Sequence, residues 1–264
     1  MAISLADLKS TRNELPPRLL FHGVAGIGKT SLAAEFPNPV LLDTEEGTPA
    51  GVDMATFGLL TSYQAVTDAM GALAQEDHEF QTVILDSSDA FEQHVWRETC
   101  VRNSWKSIED PGYGKGYLAA DAVWNEFMAG CDYLRRERGM TVIVIAHSEV
   151  KQFDEPGKSP YSRYDLRMHK RGAAILTDRC DYILFVGGKT EIKEVDVGFN
   201  KKHSHAEGGG ARYIFADARP AFIAKNRSLN MPAQILYKKG EGFKALAPHI
   251  FPNAPAVADG KAAA

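Results

Sequence analysis

The chain has 264 residues, of which 44% are hydrophobic, which suits one large domain and leaves too few residues for a second one. Its formal net charge of −4 excludes a general attraction to nucleic acid, so any DNA binding depends on local basic segments. The three cysteines are far apart and lack CxxC spacing, which argues against a zinc site and against a disulfide framework.

The first segment, residues 1–17, has neither the basic-then-apolar pattern nor the cleavage site of a secretory signal. No apolar run in the chain approaches the roughly 20 residues that cross a bilayer. We therefore expect a cytoplasmic protein that has no membrane partner, with residues 1–17 as an N-terminal segment before the core.

Residues 23–30 read GVAGIGKT, a complete GxxxxGK[ST] phosphate loop. The glycines let successive N–H groups point at phosphate oxygens, Lys29 brings a cation to the β and γ phosphates, and Thr30 supplies a hydroxyl to Mg²⁺. We therefore predict ATP and Mg²⁺ as cofactors, with GTP as the open alternative to ATP. The predicted nucleotide-binding residues are Gly23, Val24, Ala25, Gly26, Ile27, Gly28, Lys29, Thr30 and Ser31.

Short apolar runs alternate with helix-like patterns from residue 19 to residue 186. Such alternation is typical of an α/β fold with a mostly parallel central sheet flanked by helices. Predicted strands lie at residues 19–21, 40–42, 82–85, 141–146 and 182–186, and predicted helices lie at 63–75, 89–102, 117–138 and after Lys29.

The pattern changes after residue 187 to hairpin-like strands, at about 191–199 and 212–216, around a glycine turn at 208–210. We expect an antiparallel extension of the sheet there. Residues 248–264 are rich in Pro, Ala and Gly and are predicted to be a flexible C-terminal tail, so the ATPase core spans residues 18–247.

The strand at 82–85 ends in Asp86, the Walker B pattern. A buried strand with an Asp cap is the simpler reading, but beside a phosphate loop we expect this carboxylate to hold the water shell of Mg²⁺. The predicted metal ligands are Thr30 and Asp86.

The strand at 40–42 also leads into carboxylates. It directly follows the phosphate-loop helix, so a carboxylate after it can face the γ-phosphate and orient or deprotonate the attacking water. Glu45 is the first candidate and Glu46 the second, while a solvated acidic turn is the alternative.

The strand at 141–146 ends at His147, beside the expected position of the γ-phosphate. A neutral histidine there can donate a hydrogen bond to the γ-phosphate and transmit its presence into the next loop. A histidine that only caps the strand is the alternative.

Four segments together resemble RecA-type recombinase cores, in matching order: VLLDTEEG, VILDSSDAF, the strand that ends at His147, and AFIAKNRSLNMPAQILYKKGEG at 221–242. The resemblance covers residues 18–242 and is closest to short phage-encoded RecA-like ATPases of recombination and single-strand annealing. It implies a RecA-like P-loop NTPase core, a catalytic role for Glu45, and γ-phosphate sensing by His147, where RecA usually has Gln. It also implies that Lys225 and Arg227 reach the ATP of the neighbouring subunit.

A physical argument supports the same role for Lys225 and Arg227. Alternate residues of an extended strand point the same way, so the pair can present two positive charges from one edge of the subunit. Cations supplied in trans to a γ-phosphate can raise the rate by about 10³ to 10⁵ and couple nucleotide state to assembly. An exposed basic strand is the alternative.

Two long stretches, residues 104–116 and 149–171, fit neither strand nor helix, and long irregular loops are usually functional or mobile. Both mix basic and aromatic residues, which track a nucleic-acid backbone and stack on bases. By the resemblance they lie where RecA proteins hold single-stranded DNA, although a solvated lid is the alternative. The predicted DNA-binding residues are Trp105, Lys106, Lys115, Lys151, Lys158, Arg163, Arg167, Lys170 and Arg171.

The favoured hypothesis is a DNA-dependent ATPase that assembles on single-stranded DNA as a ring or filament and promotes annealing or strand exchange. It would act in the bacterial host cytosol if phage-encoded, with a single-strand-binding protein as a further candidate partner. One alternative is an ATP-gated annealing protein whose hydrolysis is dispensable. Another is a hexameric motor or regulatory ATPase that acts on a protein partner.

Overall fold

The fold is built around one sheet with helices on both faces. A computed structural model describes residues 15–251 except 156, 158 and 197–201, and describes only the backbone between 189 and 209. No helix in these ranges combines the length and apolar character needed to cross a membrane. In chain order the elements are β1 (Arg18–Gly23), α1 (Lys29–Ala33), β2 (Pro39–Asp43), β3 (Ala55–Leu59), α2 (Tyr63–Gln75), β4 (Thr82–Asp86), α3 (Ser88–Asn103), α4 (Lys115–Glu137), β5 (Thr141–Phe153), β6 (Tyr161–Leu166), α5 (Lys170–Arg179), β7 (Tyr182–Asp196), β8 (Lys202–Phe215), β9 (Gln234–Tyr237) and α6 (Gly242–Ile250).

The sheet has the strand order β3-β2-β4-β5-β1-β7-β8-β9, and β6 pairs with β5 outside this path. The strands from β3 to β7 in this order are parallel, whereas β8 and β9 continue the sheet antiparallel. The predicted α/β fold with a mostly parallel sheet and an antiparallel extension is therefore confirmed. Because parallel strands end at the same edge, the residues that follow β1, β2, β4 and β5 gather there.

Alternate residues of the central strands pack on opposite faces of the sheet. On β1, Leu20 belongs to the core formed with α2, α3, α4 and α5, whereas Leu19 and Phe21 belong to the core that includes α1 and α6. All three side chains are fully buried. Burial on both faces explains why the strands are apolar at every position instead of at every second one.

Residues 149–171 form regular structure, so the prediction of an irregular stretch is wrong there. β5 continues to Phe153 and pairs antiparallel with β6, with Ser148 opposite Leu166 and Phe153 opposite Tyr161. This β-hairpin extends beyond the main sheet, and Val150 on it is 60% exposed. Because neither face of the hairpin is fully buried, its residues lack the hydrophobic alternation by which a strand is recognised. In contrast, residues 104–114 lie outside helices and strands, as predicted, whereas residues 115 and 116 of the same predicted stretch begin α4.

The glycines at 208–210 lie inside β8, so the predicted turn at this position is wrong. Gly208 pairs with Thr190 and Arg212 pairs with Gly188, with a register shift between the two pairs. Glycine marks strand irregularities as well as turns, and the sequence pattern does not separate these two uses. The predicted strand at 191–199 ends outside the described residues. The prediction also omits β3, α5, β9 and α6, and α6 continues to Ile250, past the expected end of the core.

A buried carboxylate holds the amino ends of β1 and β7 together. Asp181 accepts hydrogen bonds from the backbone N, Nε and Nη2 of Arg18 at 3.0, 3.2 and 3.1 Å, and lies 3.6 Å from Nη2 of Arg135 on α4. Burial alone would raise the pKa of Asp181, but the hydrogen bonds and charge of Arg18 lower it below its usual value. The carboxylate is therefore stabilised in its charged form.

We expect Asp181→Ala to lower the free energy of unfolding by about 3–5 kcal/mol at pH 7, because it leaves buried arginines without their counter-charge. Since the folded-state pKa of Asp181 is depressed, its contribution is present above the unfolded pKa of about 3.9 and is lost as pH falls through the folded value. Urea unfolding at pH 7 and pH 3 measures both effects. The exposed Asp217→Ala is the control, and an equal loss in the two variants would contradict the role of Asp181.

Candidate functional site

The phosphate loop connects β1 to α1 and depends on its glycines at specific positions. A Cβ on Gly23 would lie 2.3 Å from the carbonyl oxygen of Val186, so only glycine permits this approach of β1 to β7. Gly26 and Gly28 have φ angles of 72° and 105°, in the region that favours glycine. The loop conformation therefore follows directly from the motif.

Lys29 is folded back over the loop. Its Nζ donates to the carbonyl oxygens of Gly23 and Val24 at 3.1 and 3.0 Å, and the residue is 5% exposed. Burial lowers the pKa of Lys29, opposed by the charge of Asp86. The ammonium group thus stands above the loop with only backbone oxygens as hydrogen-bond acceptors, where a phosphate oxygen is a stronger partner.

Thr30 and Asp86 lie together, as the magnesium hypothesis requires. The Oγ1 of Thr30 donates to Oδ2 of Asp86 at 2.5 Å, although β5 separates β1 from β4 in the sheet. Burial raises the pKa of Asp86 to about 6, with the charge of Glu45 adding to the effect. A hydroxyl and a carboxylate at this distance are the oxygen ligands that Mg²⁺ uses in proteins, so the residues fit the ion.

Glu45 faces the same site from the end of β2. Its Oε2 accepts a hydrogen bond from Oγ of Ser87 at 2.6 Å, and its Oε1 lies 3.7 Å from Nε2 of His147. The neighbouring Glu46 is exposed, and its side chain makes no hydrogen bond or ion pair within the described part of the chain. The geometry therefore favours Glu45 over Glu46 as the candidate base.

His147 is held on its other side by Asp89, a residue that the sequence interpretation missed. The backbone N and Nδ1 of His147 each lie 3.1 Å from Oδ1 of Asp89. Nδ1 lies within 3.2 Å of both oxygens of Asp89, which only accept, and 3.2 Å from Nη2 of Arg167, which only donates. With the proton on Nδ1 shared with Asp89, a neutral His147 has Nε2 as an acceptor. Donation from Nε2 to a γ-phosphate requires the imidazolium form. The only signal for Asp89 in the sequence is that it is the second carboxylate near the end of β4, three residues after Asp86.

Asp89 also binds the segment that follows the hairpin. Its Oδ2 accepts from Nε of Arg167 at 3.1 Å. Burial would raise the pKa of Asp89, but hydrogen bonds from His147 and Arg167 lower it well below its usual range. A second group of possible metal ligands is formed by Glu45, Asp89 and His147, whose ligand atoms lie within 4.8 Å of one another. Because Asp89 and His147 already bind each other, Thr30 and Asp86 remain the candidate metal ligands.

Four of the predicted DNA-binding cations are bonded within the subunit. Lys151 donates to the carbonyl of Leu166 at 2.7 Å, and Arg163 lies 2.8 Å from Asp165 with its guanidinium 3.6 Å from the ring centroid of Phe153. Arg167 binds Asp89, and Arg171 donates from Nε to Asp121 at 3.0 Å. The carboxylates offset the charge of the three arginines, and the carbonyl bond holds the ammonium of Lys151, so these four cations are less available to a phosphate backbone.

Three other predicted cations are free for a ligand. Lys106, Lys115 and Lys170 are exposed, and their ammonium groups make no bond to described residues. Trp105, next to Lys106 in sequence, is half-buried, whereas Lys158 lies outside the described residues.

The two predicted DNA-binding segments meet. The ring of Tyr117, near the start of α4, stacks on His169 at 4.0 Å, and Arg171 on α5 pairs with Asp121 on α4. These contacts place the amino end of α4, which follows residues 104–114, against the end of the 149–171 stretch. Lys115 and Lys170, the first residues of α4 and α5, therefore lie at two helix ends that are close together.

Lys225 and Arg227 lie at the opposite edge of the sheet from the phosphate loop. Lys225 donates to the carbonyl oxygens of Thr177 and Cys180, both at 2.8 Å, and Arg227 lies 2.8 Å from Asp181. Asp181 marks the amino ends of β1 and β7, whereas the phosphate loop follows the carboxyl end of β1. Neither cation can therefore serve the phosphate loop of its own subunit.

Comparison with known protein families matches residues 15–228 to the family described as an AAA domain. The match contains the phosphate loop and extends past Arg227. A curated relative, "SPbeta prophage-derived uncharacterized protein YorG" of Bacillus subtilis (strain 168), is 28% identical over 175 residues, which cover 64% of this chain and 50% of that protein. The chain thus spans about half the length of this relative.

We expect Asp89→Ala to lower the free energy of unfolding by about 2–3 kcal/mol, because it removes a buried acceptor of several charge-assisted hydrogen bonds. Arg167→Ala should cost less than about 1 kcal/mol, because Arg167 is 53% exposed and Asp89 keeps its bonds to His147. Urea unfolding of the two variants measures the loss of unfolding free energy in each. Equal losses would show that Asp89 acts mainly through Arg167.

Proposed function

Because the chain belongs to the AAA domain family and has the α/β fold of a P-loop NTPase, we propose that it hydrolyses ATP at the site formed by the phosphate loop, Asp86, Glu45 and His147. The observation that carries this proposal is the convergence of Thr30, Asp86 and Glu45 at one edge of the sheet. A nucleotide-binding site without hydrolytic function has no need for a carboxylate beyond the metal ligand.

Each residue has a separate task. Lys29 would leave its backbone acceptors to contact the β and γ phosphates. Thr30 and Asp86 would hold Mg²⁺, which when bound would supply positive charge beside the phosphates. Glu45, fixed by its hydrogen bond from Ser87, orients and deprotonates the attacking water. His147 lies between Glu45 and Asp89. A γ-phosphate bound beside Glu45 therefore changes the surroundings of the imidazole, and the position of His147 responds to it.

The same proposal extends to single-stranded DNA as the partner and to annealing or strand exchange as the outcome. The prophage origin of the relative and the resemblance to RecA-type cores favour this function over others. The free lysines of the two segments form the binding surface, and Arg167 connects it to the ATP site through Asp89 and His147. Such a protein acts in the cytoplasm of a bacterial host, with a single-strand-binding protein as a further partner.

Lys225 and Arg227 support assembly of several copies. Since both stand at the edge opposite their own phosphate loop, they meet a nucleotide only across a junction between subunits. We therefore expect a homo-oligomer, in the form of a ring or a filament, in which these cations approach the γ-phosphate of the neighbouring subunit.

Two other functions fit parts of the structure. An annealing protein gated by ATP binding alone is favoured by the ion pair of Arg167 with Asp89. This pair connects the segment after the hairpin to His147 without any requirement for turnover. A motor or regulatory ATPase that acts on a protein partner needs the same ATP site, but it does not need the free lysines for DNA binding.

We expect Glu45→Gln to lower the ATPase kcat by about 10²- to 10⁴-fold while ATP affinity stays close to that of the wild type, because it removes the base but no phosphate contact. Lys29→Ala should instead lose ATP binding. Steady-state kinetics and titration with a fluorescent ATP analogue separate the two effects. Glu46→Gln is the matched control, and a similar loss of kcat in that variant would assign the base to Glu46.

We expect Lys170→Ala to weaken single-stranded DNA binding and to reduce the slope of log affinity against log salt by about 0.7, the value for one lost phosphate contact. Fluorescence anisotropy with a labelled oligonucleotide at several salt concentrations measures this slope. Arg136→Ala removes an exposed cation of α4 and serves as the control. If both variants keep the wild-type slope, Lys170 contacts no phosphate.

A further inference from the structure

Arg212 lies beside the phosphate loop, although it is distant from the loop in sequence. It is on β8, opposite Gly188 of β7 and Tyr237 of β9, and is exposed. A Cβ added to Gly28 would lie 2.9 Å from Nη1 of Arg212 and 3.6 Å from Cε1 of Tyr237. The guanidinium group therefore stands directly against the backbone of Gly28.

The guanidinium has no carboxylate partner among the described residues, unlike Arg163, Arg167 and Arg227. The carboxylate near it, Glu35, is already occupied by the hydroxyl of Tyr237 and the backbone N–H groups of residues 240, 242 and 243. An unpaired, exposed guanidinium beside an anion-binding loop attracts an anion and matches the geometry of phosphate oxygens.

The position of Arg212 in the sheet decides which phosphate it can reach. Asp86, Glu45 and His147 follow β4, β2 and β5, all on one side of β1, whereas Arg212 is on β8, beyond β7 on the other side. The γ-phosphate must face the side that carries Mg²⁺ ligands and the candidate base. The nucleoside end of the triphosphate then leaves the loop toward β7 and β8.

We propose that Arg212 binds the α-phosphate of the nucleotide held by its own subunit. This inference rests on the proposed ATP site and adds to it a contact made in cis, distinct from the contacts proposed for Lys225 and Arg227 in trans. Because the α-phosphate is common to ATP and ADP and takes no part in γ-phosphate transfer, Arg212 is a binding residue for both nucleotides.

The test is titration of the full chain with fluorescent ATP and ADP analogues, together with ATPase kinetics. Arg212→Ala should weaken both nucleotides by a similar factor of about ten, with kcat at saturating ATP unchanged. Arg212→Lys should retain part of the affinity as a point charge without the guanidinium fork. Arg136→Ala is the charge-matched control, because it removes an exposed guanidinium near the carboxyl end of α4. This variant should bind both nucleotides as the wild type does.

Unchanged affinity of Arg212→Ala for both nucleotides would overturn the inference, and so would a loss of kcat with unchanged affinity, which places the guanidinium at the γ-phosphate. A loss of ATP affinity alone would also overturn it. These results leave the proposed function intact, because that function fails only if the wild-type chain does not bind or hydrolyse ATP. Thermal unfolding of each variant separates a lost contact from a lost fold.

Discussion

The hydrogen bond from Thr30 to Asp86 joins the phosphate loop to a strand that is not its neighbour in the sheet. It forms because β1 and β4 end at the same edge of the sheet, although β5 lies between them and continues past this edge. The remaining site residues depend on the same geometry: Glu45 arrives at the end of β2, and His147 lies within β5 where it leaves the sheet. Parallel pairing therefore converts residues far apart in sequence into one site.

The charges are arranged at two edges of the sheet with different environments. At the carboxyl edge, burial raises the pKa of Asp86 and lowers that of Lys29, so both charged forms are stabilised poorly by the protein alone. A cation beside Asp86 and an anion beside Lys29 relieve both costs. At the amino edge, Asp181 and its arginines neutralise each other within the fold. The first edge thus carries charges that the protein alone balances poorly. At the second edge Asp181 already balances its arginines, so Arg227 would have to leave Asp181 to reach a nucleotide of a neighbouring subunit.

The chain of contacts from Glu45 through His147 and Asp89 to Arg167 gives the site a physical route to the hairpin. Its members come from β2, β5, α3 and the segment after β6, so a displacement of one side chain changes the environment of the next. Arg167 is the exposed end of this chain and is hydrogen-bonded to Asp89, whereas Nε2 of His147 and Oε1 of Glu45, 3.7 Å apart, are beyond hydrogen-bond distance. The contact between His147 and Glu45 is therefore the weakest in the chain.

The local pattern of the sequence was sufficient for the phosphate loop, the apolar parallel strands and Asp86, because each depends on neighbouring residues whose spacing defines the conformation. It was insufficient for the hairpin of β5 and β6, since strands buried on neither face carry no hydrophobic period. The positions of Asp89, Arg212 and the internally paired arginines were decided only by the tertiary structure. Except for Arg163, whose partner Asp165 is two residues away, the groups they contact lie tens of residues or more away along the chain. A charged side chain carries no mark in sequence of a distant group that it will meet.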